Sequence, residues 1–458
     1  MSEVVPAKLK MARVRPIYKK GSRLEVGNYR PVSLLSILSK FLERAVNDQL
    51  NAYLSSRSLL YKYQSGFRGS FSTETCLVNL SDFVKAEIDQ GSFVGMVVID
   101  LQKAFDTVDH GLLLKKLSAM GIGSVDWFRS YLGDRVQCTN VGGVDSSFLT
   151  VNCGVPQGSI LGPTLFLIYI NELCSALSCR LSLYADDSAL IVSGRDASVV
   201  AQALSDELEV CRRWFVDNRL SLHPGKTECL LFGRKRRVDS VESFEVRLGG
   251  TVVNRMRSVK YLGLTLDQYF DFSLHIEGIL KKASSRLRFL YRSAGFLDLK
   301  TRRMLCQSLV LSTMEYCSPA WYPGIKKGLK DRLDTMQRKL VRYVCSMDFM
   351  THVGVQEFGT LNWMPFSSRV TYSSLVHLFK IKRGLAPDYM TEDFESVRDV
   401  HTYDLRNREN FSLARNRFPL GTFNRCGISA WNKLPVYLKE ITNLQLFKTR
   451  LRAHVMSS

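Results

Sequence analysis

The stretch Leu181-Ser-Leu-Tyr-Ala-Asp-Asp-Ser-Ala-Leu-Ile-Val-Ser193 decides the fold, because two adjacent carboxylates interrupt an otherwise apolar run. This pattern predicts a β-hairpin with buried arms that carries Asp186 and Asp187 at its tight turn. Neighbouring carboxylates repel each other unless a cation lies between them, and Mg²⁺ prefers oxygen ligands of this kind. The alternative is a surface turn in which the aspartates accept backbone hydrogen bonds. Other segments of the chain favour the metal site.

A second acidic segment follows an apolar strand. Residues 93–99, Phe-Val-Gly-Met-Val-Val-Ile, have the composition of a buried strand, and Asp100 comes directly after it. A carboxylate at the carboxyl end of such a strand indicates the edge of an active site more often than a core position. Asp106 and Asp109 come next, and we expect them to cap or pair at the start of a helix over residues 110–120.

A loop rich in glycine, Gly154-Val-Pro-Gln-Gly-Ser-Ile-Leu-Gly-Pro163, precedes an apolar run that predicts a helix from Thr164 to about residue 176. The glycines allow the backbone to approach a flat partner such as a base pair. Gln157, beside Gly158, offers both hydrogen-bond donors and an acceptor. Glycine and proline alone would indicate only a loop before a helix.

Four cations accompany these segments. Lys19, Lys20 and Arg30 flank a Gly/Asn turn between two short strand-like pieces, where ammonium and guanidinium groups would bind the oxygens of a triphosphate. A solvated charged turn is the alternative. Lys226 lies among small and polar residues, after a predicted helix over residues 197–218 and before a strand that returns to the sheet. Its surroundings predict that it faces the reaction.

The charge of the chain indicates a polyanionic partner. The 458 residues allow two or three domains, and the formal net charge is +20. Residues 271–458 contain 30 basic and 16 acidic residues, against 33 and 27 in residues 1–270. A basic half beside a nearly balanced one is typical of a nucleic-acid surface attached to a catalytic body. A merely soluble basic protein is the alternative.

Cysteine usage and hydropathy indicate the compartment. The 11 cysteines are scattered without a C-x-x-C pair, which predicts free thiols in a reducing environment. The chain does not begin with a signal peptide, and its longest apolar stretch, residues 160–170, is too short to span a bilayer. We therefore expect a soluble intracellular protein without a membrane partner.

Caps and periodicity predict the remaining elements. Ser72 or Thr73 begins a helix through about residue 89, which Gly91 ends. Residues 259–267 predict a strand pair. The basic run at residues 234–237 indicates a solvated hairpin tip, with a nuclear-import signal as the alternative. Helices are predicted over residues 274–295, 300–315, 330–345 and 367–383 and near the end of the chain, with a loop-rich connector over 392–417.

Four segments together resemble the reverse transcriptases of non-LTR (LINE-type) retrotransposons, especially the jockey-like branch. They are Asn28-Tyr-Arg-Pro-Val-Ser, Asp100-Leu-Gln-Lys-Ala-Phe-Asp-Thr-Val-Asp-His, Gly154-Val-Pro-Gln-Gly-Ser-Ile-Leu-Gly-Pro and Tyr184-Ala-Asp-Asp. The resemblance covers nearly the whole chain and implies an α+β right-hand polymerase. Its fingers and palm, with an antiparallel sheet, would be residues 1–270, its mostly helical thumb 271–350 and its basic carboxyl-terminal region 351–458.

The resemblance also implies an RNA-directed DNA polymerase that adds deoxynucleotides to a primer 3′-hydroxyl by two-metal phosphoryl transfer. The implied partners are an RNA template, a DNA primer and deoxynucleoside triphosphates, and the implied compartment of an active protein is the nucleus. Residues 259–266 resemble the hairpin that grips the primer. The implied site comprises Asp100, Asp186, Asp187 and Leu101 for two Mg²⁺ ions (or Mn²⁺), Lys226 as proton donor to pyrophosphate, Lys19, Lys20 and Arg30 for the triphosphate, Phe105 against a 2′-hydroxyl, and Gln157 and Gly158 for nucleotide and template.

One departure and two rival interpretations accompany this resemblance. The chain begins almost at the fingers, which implies an amino-terminal truncation and the absence of the family's target-nicking endonuclease. A viral RNA-dependent RNA polymerase usually has Gly before Asp-Asp, where this chain has Ala185. A catalytically silent remnant that only binds RNA or DNA would be expected to have lost a metal carboxylate. Ala185 and Phe105 favour DNA synthesis, and the presence of all three aspartates argues against a silent remnant.

Overall fold

The computed structural model describes residues 4–392, 394, 409–412 and 418–457. Its described strands all lie between residues 11 and 267, so the sheets occupy the first part of the chain. The strands are β1 (Met11–Tyr18), β2 (Tyr29–Leu34), β3 (Phe93–Ile99), β4 (Arg135–Val141), β5 (Val144–Asp145), β6 (Leu149–Val151), β7 (Arg180–Tyr184), β8 (Asp187–Gly194), β9 (Glu228–Phe232), β10 (Val246–Leu248), β11 (Thr251–Arg255), β12 (Ser258–Tyr261) and β13 (Leu264–Asp267).

Helices surround the sheets and form nearly all of the described chain after residue 272. Those up to the last strand are α1 (Ile37–Ser56), α2 (Thr73–Asp89), α3 (His110–Ala119), α4 (Val125–Leu132), α5 (Leu161–Ile170), α6 (Leu173–Ala176), α7 (Ala197–Asp217) and α8 (Lys235–Asp239). Those after it are α9 (Ser273–Tyr291), α10 (Leu299–Leu305), α11 (Ser312–Glu315), α12 (Ser318–Trp321), α13 (Lys327–Cys345), α14 (Val355–Thr360), α15 (Phe366–Lys382), α16 (Asp388–Thr391), α17 (Phe423–Asn432), α18 (Val436–Lys439) and α19 (Leu444–Ser457). The shorter elements are the 3-10 helices Ala7–Leu9, Val26–Asn28, Pro224–Lys226 and Ala294–Phe296 and the π-helix Cys306–Leu311, which joins α10 to α11.

The strands form a six-stranded central sheet, a five-stranded amino-terminal sheet and a separate pair. The central sheet has the order β10-β11-β9-β3-β8-β7, and the amino-terminal sheet has the order β2-β1-β4-β5 with β6 beside β4. The pair is β12–β13, the hairpin that the sequence predicted. The predicted α+β class is confirmed, although the β1–β4 and β9–β11 pairs are parallel, so both sheets are mixed.

Two hydrophobic cores hold these layers together. One contains the fully buried α5, of which nine of ten residues are buried, and the inner face of α7 against the central sheet. The other runs without interruption from α2, through β12–β13 and α9, to α19 at the end of the chain, and it includes Trp321, Trp363 and Trp431. The helices after residue 272 therefore pack directly on the part of the chain that contains the sheets, through shared apolar side chains.

The structure confirms several predicted elements. The Ser72 hydroxyl caps α2 by accepting the Thr75 N–H at 3.1 Å, and Gly91 follows the helix with a φ of +85°. Strand β3 spans the predicted residues 93–99, and α7 and β12–β13 also lie where they were expected. All eleven cysteines are free thiols. Within the described ranges, no helix combines the length and apolarity that a membrane crossing requires.

Two predicted elements were wrong, and one lies largely outside the described residues. The apolar helix begins at Leu161 rather than Thr164 and ends at Ile170, because Pro163 fits the first turn, where its missing N–H costs nothing. Residues 235–239 form α8 and not a hairpin tip; Arg234, which precedes it, and Arg237, which lies within it, donate to backbone carbonyls. Most of the predicted connector over residues 392–417 is not among the described residues.

Candidate active site

The acidic hairpin has a two-residue turn. Tyr184 pairs with Asp187 across β7 and β8, so Ala185 and Asp186 form the turn and Asp187 is the first residue of the return strand. Ala185 has a φ of +58°, which is uncommon for a residue with a Cβ atom. A positive φ at the first turn residue matches the right-handed twist of the flanking strands.

A neighbouring segment holds this turn in place. The Oε1 atom of Gln64 accepts the N–H groups of Ala185 and Gly66, each at 2.9 Å. Gly66 is needed there, because a Cβ atom at that position would lie 2.5 Å from the Ala185 nitrogen. The backbone of Gly66 therefore packs directly against the acidic hairpin.

Strand β3 brings Asp100 to the same point. It pairs antiparallel with β8, and the last pair of the ladder joins Ile99 to Ser188. The next residues in that register are Asp100 and Asp187, and directly opposed residues have Cα atoms about 5 Å apart. The side chains of Asp100, Asp186 and Asp187 therefore gather at one end of the central sheet, as predicted.

The electrostatics confirm this proximity. Burial, followed by the charges of Asp186 and Asp100, raises the pKa of Asp187 to about 6. Burial and the charge of Asp100 also raise the pKa of Asp186, whereas the charges of Arg30 and Lys19 act to lower it. Three carboxylates and the two predicted triphosphate cations thus lie close enough to act on one another.

The predicted cation Lys226 also reaches this site. Its Nζ atom donates to the Oδ2 atom of Asp100 at 3.0 Å, and both side chains are about half exposed. Leu101 forms an antiparallel bridge with Leu222, flanked by hydrogen bonds on the residues either side. In such a bridge the central carbonyl points away from its partner strand, so the Leu101 oxygen points away from Leu222.

The donor set fits Mg²⁺, although the protein alone does not form a closed cage. Among the described residues, no group of three or more His, Cys, Asp or Glu side chains is arranged to hold a metal ion. Mg²⁺ in polymerase-type sites is usually held by one or two carboxylates together with substrate phosphates and water. Carboxylates whose negative form is disfavoured by burial and mutual repulsion supply the charge that such an ion would neutralise.

The three cations predicted to bind a triphosphate divide into two sets. Arg30 lies on β2 opposite Ile17 of β1, and Lys19 follows β1 directly, with its N–H donating to the Asn28 carbonyl at 2.9 Å. Lys19 and Arg30 both act on the Asp186 charge. Lys20 lies one residue further into the turn and is not among the charges that shift the pKa of Asp186 or Asp187. The structure brings together two of the three predicted cations.

Phe105 lies five residues after Asp100, and two neighbouring aromatic rings contact its side chain. Its ring stacks on Phe166 of α5 with centroids 4.5 Å apart, and its other contact is the edge of Phe67 at 6.3 Å. Because Phe166 is fully buried, the Phe105 ring has a fixed support. The side chain is only partly buried, so part of the ring remains available to a ligand.

The glycine-rich loop connects the two sheets. The Gln157 carbonyl accepts the Ser33 N–H of β2 at 2.8 Å, and its Nε2 atom donates to Asp106 Oδ1 at 2.8 Å. At Gly158, φ is +136° and a Cβ atom would lie 2.4 Å from the Ser33 oxygen. A cavity of about 380 Å³ lies between this loop and the amino-terminal sheet. Gln157 and Asp106 line this cavity, whereas Gly158 packs against the Ser33 backbone and is not among its lining residues.

The role predicted for Asp106 was wrong, and that of Asp109 is confirmed. Asp109 caps α3 by accepting the Leu112 N–H at 2.8 Å, and it also pairs with Arg219. Asp106 caps no helix, because its carboxylate points to Gln157. Sequence reasoning also missed Gln64, for which the only signal was its position beside the small residues that allow close approach.

A central sheet that ends in three carboxylates, with a basic hairpin facing them, is the arrangement of a right-hand polymerase. Residues 17–266, more than half of the chain, match the family of reverse transcriptases (RNA-dependent DNA polymerases). The chain belongs to this family. The predicted likeness to the jockey-like group of non-LTR elements is also confirmed by its curated relatives.

These relatives are moderately similar over most of the chain. The probable RNA-directed DNA polymerase from transposon BS of Drosophila melanogaster is 30% identical over 74% of this chain and 38% of its own length. The RNA-directed DNA polymerase from mobile element jockey of Drosophila funebris is 27% identical over 73% and 37%. The chain thus spans a little over a third of the length of these relatives. Among solved structures, apo telomerase of Candida tropicalis aligns with a TM-score of 0.47 at 11% identity, covering 78% of this chain and 62% of that one.

Proposed function

We propose that the chain is an RNA-directed DNA polymerase of a non-LTR retrotransposon, which adds deoxynucleotides to a primer 3′-hydroxyl. The observation that supports it best is the convergence of Asp100, Asp186 and Asp187 at the end of β3 and β8, within reach of Lys226, Lys19 and Arg30. Phosphoryl transfer needs positioning and charge neutralisation rather than covalent chemistry, and this set of residues suits both.

In this proposal Asp100, Asp186 and Asp187, with the Leu101 carbonyl, hold two Mg²⁺ ions, for which Mn²⁺ can substitute. When bound, such ions lower the pKa of the attacking hydroxyl and neutralise the leaving pyrophosphate. The raised pKa of Asp187 reflects its burial and, after that, repulsion by Asp186 and Asp100, and a bound cation would offset both effects. Removal of one carboxylate is therefore expected to abolish polymerisation.

The remaining residues bind and orient the substrates. Lys19, Lys20 and Arg30 bind the triphosphate from the fingers hairpin, and Lys226 leaves Asp100 to donate a proton to the pyrophosphate oxygen. The Phe105 ring, supported by Phe166, occupies the volume that a 2′-hydroxyl would need. Gln157 and Gly158 contact the nucleotide and the template from the loop.

The partners in this proposal are an RNA template, a DNA primer and deoxynucleoside triphosphates, acting in the nucleus. Residues 1–270 form fingers and palm, 271–350 the thumb and 351–458 a basic carboxyl-terminal region. Helix α9 supports the thumb assignment, since it carries Lys281, Lys282, Arg286 and Arg288 at helical spacing and Arg292 follows its last residue.

Incorporation of dTTP on poly(rA)/oligo(dT) with Mg²⁺ tests the proposal. We expect the wild type to extend the primer and Asp186→Asn to lose at least about a thousand-fold in rate. Asp196→Asn is the matched control, because Asp196 is an exposed helix cap and Asn caps equally well. Equal incorporation by the wild type and Asp186→Asn would refute the proposal. Duplex binding without incorporation by the wild type would indicate a silent remnant instead.

A further inference from the structure

We propose that Asp106 is a positioning residue, which orients the Gln157 amide so that its oxygen faces the incoming nucleotide. The inference rests on the proposed function, because it assigns Gln157 to the nucleotide site. It extends that function by explaining why a carboxylate that caps no helix and is not part of the proposed metal set lies half-buried beside the loop.

The hydrogen bond between the two side chains determines which end of the amide faces outward. Gln157 Nε2 donates to Asp106 Oδ1 at 2.8 Å. An ionised carboxylate only accepts hydrogen bonds, so the NH₂ group must point toward Asp106 and the Oε1 atom away from it. In the part of the chain that the structure describes, Oε1 has no protein partner. It is therefore available as an acceptor.

The backbone around Asp106 fixes this contact. The N–H of Gly154 donates to the Val108 carbonyl at 2.7 Å, and that of Val155 donates to the Phe105 carbonyl at 2.8 Å. A Cβ atom at Gly154 would lie 2.7–2.9 Å from backbone atoms of Asp106. The backbone of the glycine-rich loop is thus fixed relative to the backbone around Asp106, and this arrangement places the Asp106 carboxylate beside the Gln157 side chain.

The main chain of Gln157 is held from the opposite side. Its carbonyl accepts the Ser33 N–H at 2.8 Å, and Ser33 lies on β2, the strand that carries Arg30. Both ends of Gln157 are therefore fixed, one by the fingers strand and one by Asp106. The free Oε1 atom suits a donor on the nucleotide, which means a sugar hydroxyl or a base amino group.

The electrostatics of Asp106 agree with this role. Burial raises the pKa of its carboxyl group, whereas the hydrogen bond from Gln157 and the charge of Lys103 act to lower it. A half-buried carboxylate that is not paired in a salt bridge needs such donors to remain ionised. Gln157 and Asp106 therefore support each other, and the loss of either partner is expected to affect the same function.

A double-mutant cycle tests the inference with the full chain. The variants are Asp106→Ala, Gln157→Ala and the double variant, with Asp106→Asn as the conservative change. We measure kcat and KM for dTTP on poly(rA)/oligo(dT), and the Kd of dTTP for a complex with a terminated primer, in which no chemistry occurs. Asp106→Ala should raise KM and Kd about ten-fold and change kcat less than about three-fold. Asp106→Asn keeps an acceptor and should recover most of the affinity.

The cycle separates positioning from a general structural role. If Asp106 acts through Gln157, then Asp106→Ala should change Kd less than about two-fold in the Gln157→Ala background. Additive effects, or a fall in kcat with Kd unchanged, would overturn the inference. If Asp106→Ala destabilises the protein, Gln157→Ala provides a second test. This variant keeps the Asp106 carboxylate and should still raise the Kd of dTTP. A wild type that does not extend the primer would refute the proposed function instead, so the two failures are distinguishable.

Discussion

Replacement of Glu43 by alanine should destabilise the protein strongly, although Glu43 lies outside the candidate site. Its carboxylate is fully buried in α1 and accepts the Ile160 N–H at 2.6 Å, the Tyr131 hydroxyl at 3.0 Å and the Ser39 hydroxyl at 3.3 Å. Ile160 directly precedes α5, so Glu43 links α1 to the helix that follows the glycine-rich loop. Glu43→Ala would leave three donors without this acceptor: the buried hydroxyls of Tyr131 and Ser39 and the partly buried Ile160 N–H.

The expected cost follows from these contacts. A buried donor left unpaired costs about 1–3 kcal/mol, and the lost side-chain volume adds to it, so Glu43→Ala should cost about 3–5 kcal/mol of the free energy of unfolding. In thermal unfolding of the 458-residue chain this corresponds to a fall in Tm of about 3–5 °C. Glu43→Gln keeps the shape and one acceptor, and it should cost about half as much. KM for the nucleotide should also rise, because the loop loses an anchor.

The control for this experiment lies on the same helix. Asp48 is exposed and 3.9 Å from Arg44, so Asp48→Asn should change the free energy of unfolding by less than about 0.5 kcal/mol. A Tm for Glu43→Ala within about 1 °C of the wild type would refute the reasoning, since it would mean that the three donors find other partners. A fall as large in Asp48→Asn would show that charge removal alone is responsible.

Three further predictions concern separate sites. Lys226→Ala should change Tm by less than about 2 °C, because the Lys226–Asp100 pair is half exposed. The same variant should lower kcat at least about a hundred-fold. Small effects on both Tm and kcat would contradict the assignment of Lys226 as proton donor. Asp82 accepts two N–H groups at the start of α17, each at 2.8 Å, so Asp82→Ala should accelerate amide hydrogen exchange in Phe423–Asn432; unchanged exchange would contradict this anchor. Burial lowers the pKa of His275 to about 4, so stability should fall by about 3 kcal/mol from pH 6.5 toward pH 4, and His275→Leu should remove that part of the pH dependence in urea titrations.

The sign of the His275 effect follows from its environment. The buried ring accepts the Thr265 N–H through Nδ1 at 3.2 Å, and its Nε2 atom has no partner, so the folded state disfavours the charged form. The unfolded chain binds a proton near pH 6.5, whereas the folded chain binds one only near pH 4. Stability is therefore complete above pH 6.5 and is lost as the pH falls between these values. A wild type and His275→Leu variant with parallel pH profiles would contradict this account.

The sequence predicted those elements whose structure depends only on residues a few positions apart. The apolar run of β3, the Ser72 cap of α2 and the Asp-Asp hairpin each depend on neighbours within a few positions. The start of α5 was misjudged because Pro163 was taken as the end of a loop rather than as part of a first helical turn. The pairing order of the central sheet, with β9 and β8 on either side of β3, depends on contacts between distant segments.

The candidate site divides in the same way. Asp100, Asp186 and Asp187 were found because carboxylates beside apolar strands are conspicuous in a sequence. Gln64 and Asp106 were missed or misassigned, because their roles depend on partners more than 50 residues away, Ala185 and Gln157. A polar residue whose only function is a hydrogen bond to a distant backbone or amide group has no local signature.

Helix α2 connects the carboxyl-terminal helices to the acidic hairpin. Cys76 contacts the Ser182 hydroxyl of β7 at 3.4 Å, two residues before the turn that carries the aspartates begins. Two turns further along the same helix, Asp82 holds the start of α17 and Lys85 donates to the Gly421 carbonyl at 2.8 Å. A helix with buried contacts at both points transmits a shift of one end to the other, because packed interiors yield little. Loss of the Asp82 anchor should therefore also change the rate of polymerisation, whereas a carboxyl-terminal region that only bound nucleic acid would change affinity alone.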